Sequence, residues 1–209
     1  MLHYFFRFLS FLILKFYGNI RAFGRENIPK TGGFLLVSNH MSYFDPMAVG
    51  VSCPRPLNYM ARHDLFNNSF FAWVIRNSGA FPVKRDTADL SALKEAIKRV
   101  KSGGGLLLFP EGRRITDTTA SVEPEPGVGF LISKLQVPVI PVFVKGTDKV
   151  WPKGAKKIAA HQINVYFGEQ ISVERRMPYQ DIARQVMGSI RHLGSKNFLE
   201  EEVFLKTKN

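Results

Sequence analysis

Residues 33–46 read Gly-Phe-Leu-Leu-Val-Ser-Asn-His-Met-Ser-Tyr-Phe-Asp-Pro, and they give the strongest indication of the fold class. Its first half is an apolar run with the length of a buried strand, and His40 and Asp45 follow in the turn after it. A second apolar run, Leu106–Phe109, leads in the same way into Pro110–Arg114. Two buried strands that deliver charged groups at their carboxyl ends are the usual construction of an α/β active site.

The spacing of His40 and Asp45 suits a general base and the carboxylate that orients it. A structural interpretation stands beside this one. Asp45 followed by Pro46 is also a helix start, with Asp as the N-cap and Pro at the first helical position, and His40 alone is typical of a hydrogen-bonded structural histidine. The cap and the imidazole partner are compatible roles. Ser42 lies between the pair, but no Gly-x-Ser-x-Gly turn marks it as a nucleophile.

Apolar periodicity predicts strands that alternate with helices. The strands are predicted at 33–38, 57–61, 79–83, 105–109, 138–144 and 162–167. Helices are predicted from Leu90 to Val100 with Asp86, Thr87 or Asp89 as the cap, after Asp64 through 70–75, and from Tyr179 to Leu193 with an end at Gly194. This pattern predicts a single α/β domain with a mixed, mostly parallel sheet flanked by helices. We assign residues 25–209 to that domain and residues 1–24 to a membrane-associating helix.

Charge and composition limit the possible partners. The chain has 29 basic and 17 acidic residues, a formal net charge of +12, which favours an anionic partner such as a phospholipid surface or a phosphorylated substrate. Its Lys and Arg residues are dispersed and no aromatic RNA-binding motif occurs, so nucleic acid is not expected. The single Cys53 excludes an intrachain disulfide, and the five histidines show no metal-ligand spacing. We therefore expect neither a metal nor a cofactor.

The first 20 residues are rich in Phe, Leu, Ile and Tyr. The uncharged run between Arg7 and Lys15 is too short to cross a bilayer, which needs roughly 20 apolar residues, and no signal-peptide cleavage site follows it. On a helical wheel one face holds Leu2, Phe5, Phe6, Leu9, Leu12, Ile13, Phe16 and Ile20, and His3, Arg7, Ser10 and Arg21 lie opposite. This indicates a helix in the membrane interface with its cations at the headgroups. The alternative is a terminal helix packed on the core.

Four blocks together resemble the glycerolipid acyltransferases of the 1-acyl-sn-glycerol-3-phosphate acyltransferase type. They are Asn39-His40 through Asp45, Gly79 through Asp86 with Arg85, Phe109 through Arg114 with Glu111, Gly112 and Arg114, and Val137 through Val142. The blocks occur in the family's order and spacing and cover about half of the chain. Two positions of the third block depart from the family pattern, Arg113 and Ile115.

The resemblance implies an acyltransferase in which the substrate hydroxyl attacks the thioester directly, with His40 as the base and Asp45 as its partner. Arg85 and Arg114 have planar guanidinium groups suited to a substrate phosphate, and Gly112 permits a close backbone approach. Glu111, a carboxylate among cations, is expected to orient Arg114 or a substrate hydroxyl.

The leading hypothesis is therefore an enzyme that transfers an acyl group from acyl-CoA or acyl carrier protein to the free hydroxyl of 1-acylglycerol 3-phosphate. The product is phosphatidic acid for phospholipid synthesis, and the enzyme is expected on the cytoplasmic face of the membrane as a monotopic protein. The alternatives are an acyltransferase for glycerol 3-phosphate or an aminolipid, a His-Asp esterase or thioesterase, and a non-catalytic basic module. Residues 115–127 form a polar loop that is either a lid or a surface loop.

Overall fold

The fold is built around one seven-stranded sheet. The computed structural model describes residues 2–84, 89–115, 122–152, 155, 157–174 and 176–206, with side chains as far as residue 196. The strands are β1 Arg21–Phe23, β2 Phe34–Ser38, β3 Leu57–Arg62, β4 Ala80–Val83, β5 Gly105–Leu108, β6 Val139–Lys145 and β7 Asn164–Phe167. Their order across the sheet is β1-β7-β6-β2-β5-β3-β4, and every pair is parallel except β6 with β7. The predicted single α/β domain with a mixed, mostly parallel sheet is confirmed.

The helices are α1 Leu2–Gly18, α2 Asp45–Ser52, α3 Ser69–Asn77, α4 Leu90–Lys101, α5 Pro126–Leu135, α6 Thr147–Val150 and α7 Tyr179–Lys206. The cap of α4 is Asp89, whose carboxylate accepts hydrogen bonds from the backbone N–H groups of Ser91 and Ala92, at 3.1 Å each. The other two candidate caps, Asp86 and Thr87, lie outside the described residues.

The predicted end of the last helix at Gly194 is wrong, because α7 continues through this residue to Lys206. Gly194 has a packing role instead. A Cβ atom at this position would lie 2.7 Å from the ring of Phe143 on β6, so the missing side chain lets the helix approach the sheet.

The sheet is covered on both faces. Along β2, Phe34 and Leu36 face the core that contains α2, while Leu35 and Val37 face the core formed with α4, α5 and α7. All four side chains have no exposed surface. This explains why β2 is a continuous apolar run rather than an alternating one, as is usual for a strand buried on both faces.

The N-terminal helix forms, but the predicted orientation of its faces is partly wrong. Leu14 is fully buried and Phe6 is 8% exposed, so α1 packs on the domain through the side that carries Arg7. The Arg7 guanidinium donates to the carbonyl oxygens of Val51 and Cys53 at the end of α2, where helical carbonyls lack partners. Arg7 therefore does not point toward lipid headgroups.

The outward side of α1 is almost entirely apolar. Its exposed residues are Leu2, Tyr4, Phe5, Phe8, Leu9, Phe11, Leu12, Lys15 and Phe16. The helix thus combines both interpretations of the sequence, with one side packed on the core and the other open. No helix in the described part of the chain is long and apolar enough to cross a membrane.

Candidate active site

The site lies at the edge of the sheet where β2, β5 and β6 end. These strands are parallel neighbours, so the turn after β2 and the turn after β5 come together at one edge. A backbone hydrogen bond of 2.8 Å from the Ile115 N–H to the His40 carbonyl joins the two turns. The first and third sequence blocks, 70 residues apart in the chain, therefore form one surface.

His40 and Asp45 form a hydrogen-bonded pair. The Nδ1 atom of His40 lies 2.8 Å from Oδ2 of Asp45, which also accepts the backbone N–H groups of Met41 at 2.6 Å and Ser42 at 2.7 Å. The other carboxylate oxygen, Oδ1, accepts the hydroxyl of Thr147 at the start of α6. Asp45 has no exposed surface.

The N-cap interpretation of Asp45 is wrong. Asp45 is the first residue of α2, and its carboxylate turns away from its own helix, back to the preceding loop and the imidazole. Since that carboxylate already accepts from two backbone N–H groups and a hydroxyl, it acts toward His40 as an acceptor, and Nδ1 carries the proton. The lone pair of the imidazole is then on Nε2.

The His40 ring is held by packing as well as by the carboxylate. It stacks on Phe109 with a centroid distance of 4.0 Å and an interplanar angle of 21°, and its side chain is 13% exposed. A ring fixed on one face and at one nitrogen presents its other nitrogen in a defined direction. This is the preorganisation that a general base requires.

Three polar residues hold the loop in place, and sequence reasoning missed two of them. The Asn39 amide exchanges two hydrogen bonds with the backbone of Val144, at 2.9 and 2.8 Å, and Thr147 bonds to Asp45 as described. The Ser42 hydroxyl donates to the Trp151 carbonyl at 2.8 Å and accepts the Phe44 N–H at 3.2 Å. Ser42 is fully buried, so its hydroxyl is a structural group rather than a nucleophile.

Glu111 is a buried carboxyl next to this pair. It is 8% exposed, and its Oε2 atom has no hydrogen-bond partner. The pKa of the Glu111 carboxyl is raised to about 7, chiefly by burial and to a smaller extent by the nearby charge of Asp45, while hydrogen bonds from the backbone N–H groups of Glu111 and His40 oppose the increase. Glu111 thus contacts the backbone of the histidine loop.

Arg114 does not pair with Glu111. Its guanidinium carbon lies 3.3 Å from the centre of the Tyr43 ring, a cation–π arrangement between the two site turns. Arg113 is exposed, in agreement with its interpretation as a surface charge. Gly112 has φ 63°, in the left-handed region, where a side chain would be strained and would meet Glu125.

Arg85, the remaining predicted site residue, lies outside the described residues, and so do residues 116–121 of the polar loop. The sequence has two acidic residues at the end of that loop, Glu123 and Glu125. Glu123 forms an ion pair of 2.6 Å with Arg184 on α7, which leaves Arg114 without competition from this carboxylate. Cys53 is fully buried, and burial raises the pKa of its thiol.

A mostly parallel sheet with a His–Asp pair and a nearby arginine at one edge is the construction expected of an α/β enzyme that activates a hydroxyl group. Comparison with known proteins gives the class. The family model described as Acyltransferase matches residues 19–145, more than half of the chain. The chain therefore belongs to the acyltransferase family and is an enzyme of acyl transfer, which confirms the resemblance seen in the four blocks.

Several relatives carry the name 1-acyl-sn-glycerol-3-phosphate acyltransferase. The protein of Bacillus subtilis is 28% identical over 151 residues, which cover 70% of this chain and 74% of the relative. The protein of Streptococcus pneumoniae is 29% identical over 165 residues, which cover 78% of this chain and 59% of the relative. The crystal structure of the 1-acyl-sn-glycerophosphate acyltransferase PlsC from Thermotoga maritima is similar in fold, with a TM-score of 0.77 and 23% identity over 93% of this chain and 79% of that one.

Proposed function

We propose that this enzyme transfers an acyl group from a thioester to the free hydroxyl of 1-acylglycerol 3-phosphate and so makes phosphatidic acid for phospholipid synthesis. The observation that carries the proposal is the pairing of His40 with the fully buried Asp45 at the carboxyl edge of the sheet. The names of the relatives support the acceptor. The donor is acyl-CoA or acyl carrier protein.

His40 acts first as a general base. Its Nε2 takes the proton of the acceptor hydroxyl as that oxygen attacks the thioester carbonyl, and the carbonyl becomes a tetrahedral oxyanion. Asp45 stabilises the imidazolium that results, because the hydrogen bond to Nδ1 then joins opposite charges. When the intermediate collapses, the carbon–sulfur bond breaks and the imidazolium returns its proton to the departing thiolate. No covalent acyl-enzyme is formed.

This order of events agrees with the state of the candidate nucleophiles. The Ser42 hydroxyl is engaged on both sides and buried, and Cys53 is buried at the end of α2. Among the residues that the structure describes, no other serine or cysteine follows His40 in its turn. Direct attack by the substrate hydroxyl therefore fits the site better than the covalent mechanism of a serine or cysteine hydrolase.

Arg114 binds the phosphate of the acceptor. The Tyr43 ring supports one face of its guanidinium and leaves the edge, with its N–H donors, for phosphate oxygens. The hydrogen bond between Ile115 and His40 fixes the arginine turn against the catalytic turn, so the phosphate and the reacting hydroxyl are held in one frame. Arg85 supplies a second cation to the same phosphate.

The enzyme works at the membrane surface. The exposed apolar side of α1 lies in the interfacial region of the bilayer, as a monotopic contact on the cytoplasmic face. This location gives the site access to a lysophospholipid in the membrane and to a water-soluble acyl thioester.

One product assay tests the proposal. The purified protein is given a labelled acyl-CoA, or the same acyl group on acyl carrier protein, with 1-acylglycerol 3-phosphate, glycerol 3-phosphate or lysophosphatidylethanolamine. We expect label in phosphatidic acid, dependent on 1-acylglycerol 3-phosphate. Label in lysophosphatidic acid or in an aminolipid would assign a different acceptor, and release of free fatty acid alone would show a hydrolase.

A further inference from the structure

A chain of aromatic rings joins α1 to α3. Phe70 stacks on Trp73 with 6.3 Å between ring centres, Trp73 meets Phe6 edge-on at 5.5 Å, and Phe6 meets Phe5 at 5.5 Å. Phe6 is buried between the helices. The other three rings are open to solvent, at 75% for Phe70, 48% for Trp73 and 58% for Phe5. The apolar surface of α1 thus continues onto α3 without a polar gap.

Exposed large hydrophobic side chains of the described residues are concentrated on this surface. On α1 they are Leu2, Tyr4, Phe5, Phe8, Leu9, Phe11, Leu12 and Phe16, and on α3 they are Phe70, Phe71 and Trp73. Elsewhere such residues are scattered, for example Leu90 and Tyr179. Soluble monomers rarely expose an apolar surface of this extent unless it binds something.

We propose that α3 is a second membrane-contacting element, in which Phe70 and Trp73 enter the interfacial region of an anionic phospholipid bilayer beside α1. This inference rests on the proposed function, because it extends the membrane contact of the same enzyme. Aromatic side chains are favoured at the depth of the lipid headgroups, where one side of the ring is apolar and its edge is wet.

The position of α3 would let this contact orient the active site relative to the membrane. The strand before it, β3, ends at the same edge of the sheet as β2, so the start of α3 lies on the side of the molecule where His40 lies. A single interfacial helix leaves the domain free to rotate about the helix axis. Two helices in contact with the bilayer remove that freedom and hold the catalytic edge at a fixed angle to the lipid.

The charges around the surface favour a bilayer over a second copy of the chain. Residues 2–25 contain four cations and no acid, and α3 contains Arg76 and no acid. Of the two cations on α1, Arg7 is bound to the end of α2, and Lys15 lies among the exposed residues. The one acid of the turn between β3 and α3, Asp64, is paired with Arg62. Cations at the rim of an apolar surface are attracted to anionic lipids, whereas two copies face to face would bring Lys15 and Arg76 toward like charges.

Binding to vesicles tests the proposal with matched variants. The wild-type chain of 209 residues and its variants Phe70→Gln and Leu90→Gln are sedimented with vesicles of phosphatidylethanolamine and phosphatidylglycerol. Phe70 and Leu90 are both highly exposed, at 75% and 65%, so neither change removes core packing. We expect Phe70→Gln to lower the coefficient for partition onto vesicles about tenfold, because this variant lacks the phenyl ring that wild type transfers from water into the bilayer. Leu90→Gln should leave the coefficient unchanged.

Fluorescence locates the helix independently. The chain has two tryptophans, so Trp151→Phe leaves Trp73 as the only reporter. We expect its emission to shift to the blue on vesicles and to be quenched by lipids brominated near the headgroup end of the acyl chain. Equal binding of Phe70→Gln and wild type, together with an unquenched Trp73, would overturn the proposal.

Two further outcomes separate this inference from its alternatives. A wild-type dimer in sedimentation velocity that Phe70→Gln converts to a monomer would assign the surface to a second copy and overturn the proposal. Acyl transfer is measured in detergent micelles, where Phe70→Gln should match wild type. If wild-type protein showed no transfer in micelles, the proposed function would be wrong. The vesicle and quenching results would still decide whether α3 contacts the bilayer.

Discussion

Replacement of Asp45 by asparagine separates a catalytic partner of His40 from a structural residue. The carboxylate accepts three hydrogen bonds on Oδ2, from His40, Met41 and Ser42, and one on Oδ1 from Thr147. An asparagine can keep its carbonyl oxygen toward the first three donors. Its NH₂ group then faces the Thr147 hydroxyl, which can rotate to become the acceptor.

The structure therefore predicts a folded Asp45→Asn protein with a modest loss of stability and a large loss of rate. Charge-assisted bonds become neutral ones, which should lower the free energy of unfolding by about 1–3 kcal/mol. A neutral amide cannot stabilise the imidazolium of His40, so the turnover number should fall roughly 10²- to 10⁴-fold. Initial rates of acyl transfer at saturating donor and urea unfolding measure the two effects.

Thr147→Val is the matched control for Asp45→Asn. It removes the hydrogen bond to Oδ1 and should also lower the free energy of unfolding by about 1–3 kcal/mol, but the charge of Asp45 and its bond to His40 remain. We expect the rate to fall by about tenfold at most. If Asp45→Asn kept a rate within about threefold of wild type while losing the same stability, the carboxylate would be only structural.

Three other perturbations test separate parts of the site and surface. The pKa of the Glu111 carboxyl is raised from 4.5 to about 7, so as pH rises this group ionises in the unfolded chain before it ionises in the folded one. Between about pH 4 and pH 8, the free energy of unfolding of wild type should therefore fall by about 3 kcal/mol relative to that of Glu111→Gln. A difference in urea unfolding that does not change with pH would contradict this. Arg114→Ala should raise the Michaelis constant for 1-acylglycerol 3-phosphate about 10- to 150-fold, with little change in that for the donor. Arg113→Ala should change neither constant appreciably. An effect on the Michaelis constant of the donor alone would show that Arg114 binds the phosphate of the coenzyme or carrier instead. Phe8 and Phe16 are exposed at 58% and 79%, so replacing them by serine should weaken vesicle binding without a change in melting temperature. High salt should release wild-type protein from vesicles only in part, because it screens charges and not apolar contacts. Complete release by salt would show that α1 does not insert.

The strands of the core were predictable because a strand buried on both faces is a continuous apolar run. The predictions at 33–38 and 105–109 match β2 and β5 within one residue. β1 was missed because it has three residues, of which Arg21 and Phe23 are exposed, and is stabilised by its pairing with β7 rather than by a local pattern. Only the tertiary structure reveals such an edge strand.

The faces of α1 illustrate a limit of periodicity. The helix is apolar nearly all round, so hydrophobicity alone cannot tell which side meets the protein. The side that packs is chosen by shape and by the open carbonyls at the end of α2, which accept the guanidinium of Arg7. The helical wheel therefore predicted Arg7 at the lipid headgroups and Phe6 on the side that faces lipid, whereas in the structure both lie against the domain.

The catalytic pair could be predicted from the sequence, but its support could not. His40 and Asp45 are close in the chain, and their chemistry identifies them. Asn39 and Thr147 hold the same loop through contacts with residues more than 100 positions away, at Val144 and Asp45. Polar residues of this kind carry no local signal, because their partners are defined only when β6 lies beside β2.

Whether His40 is the general base of acyl transfer can be decided by comparing the turnover of two proteins. Wild-type and His40→Ala proteins are assayed with a labelled acyl thioester and 1-acylglycerol 3-phosphate, and cooperative melting verifies that both are folded. We predict labelled phosphatidic acid from wild type and a turnover roughly 10²- to 10⁴-fold lower from His40→Ala. A folded His40→Ala protein with near-normal turnover would show that His40 is not the base.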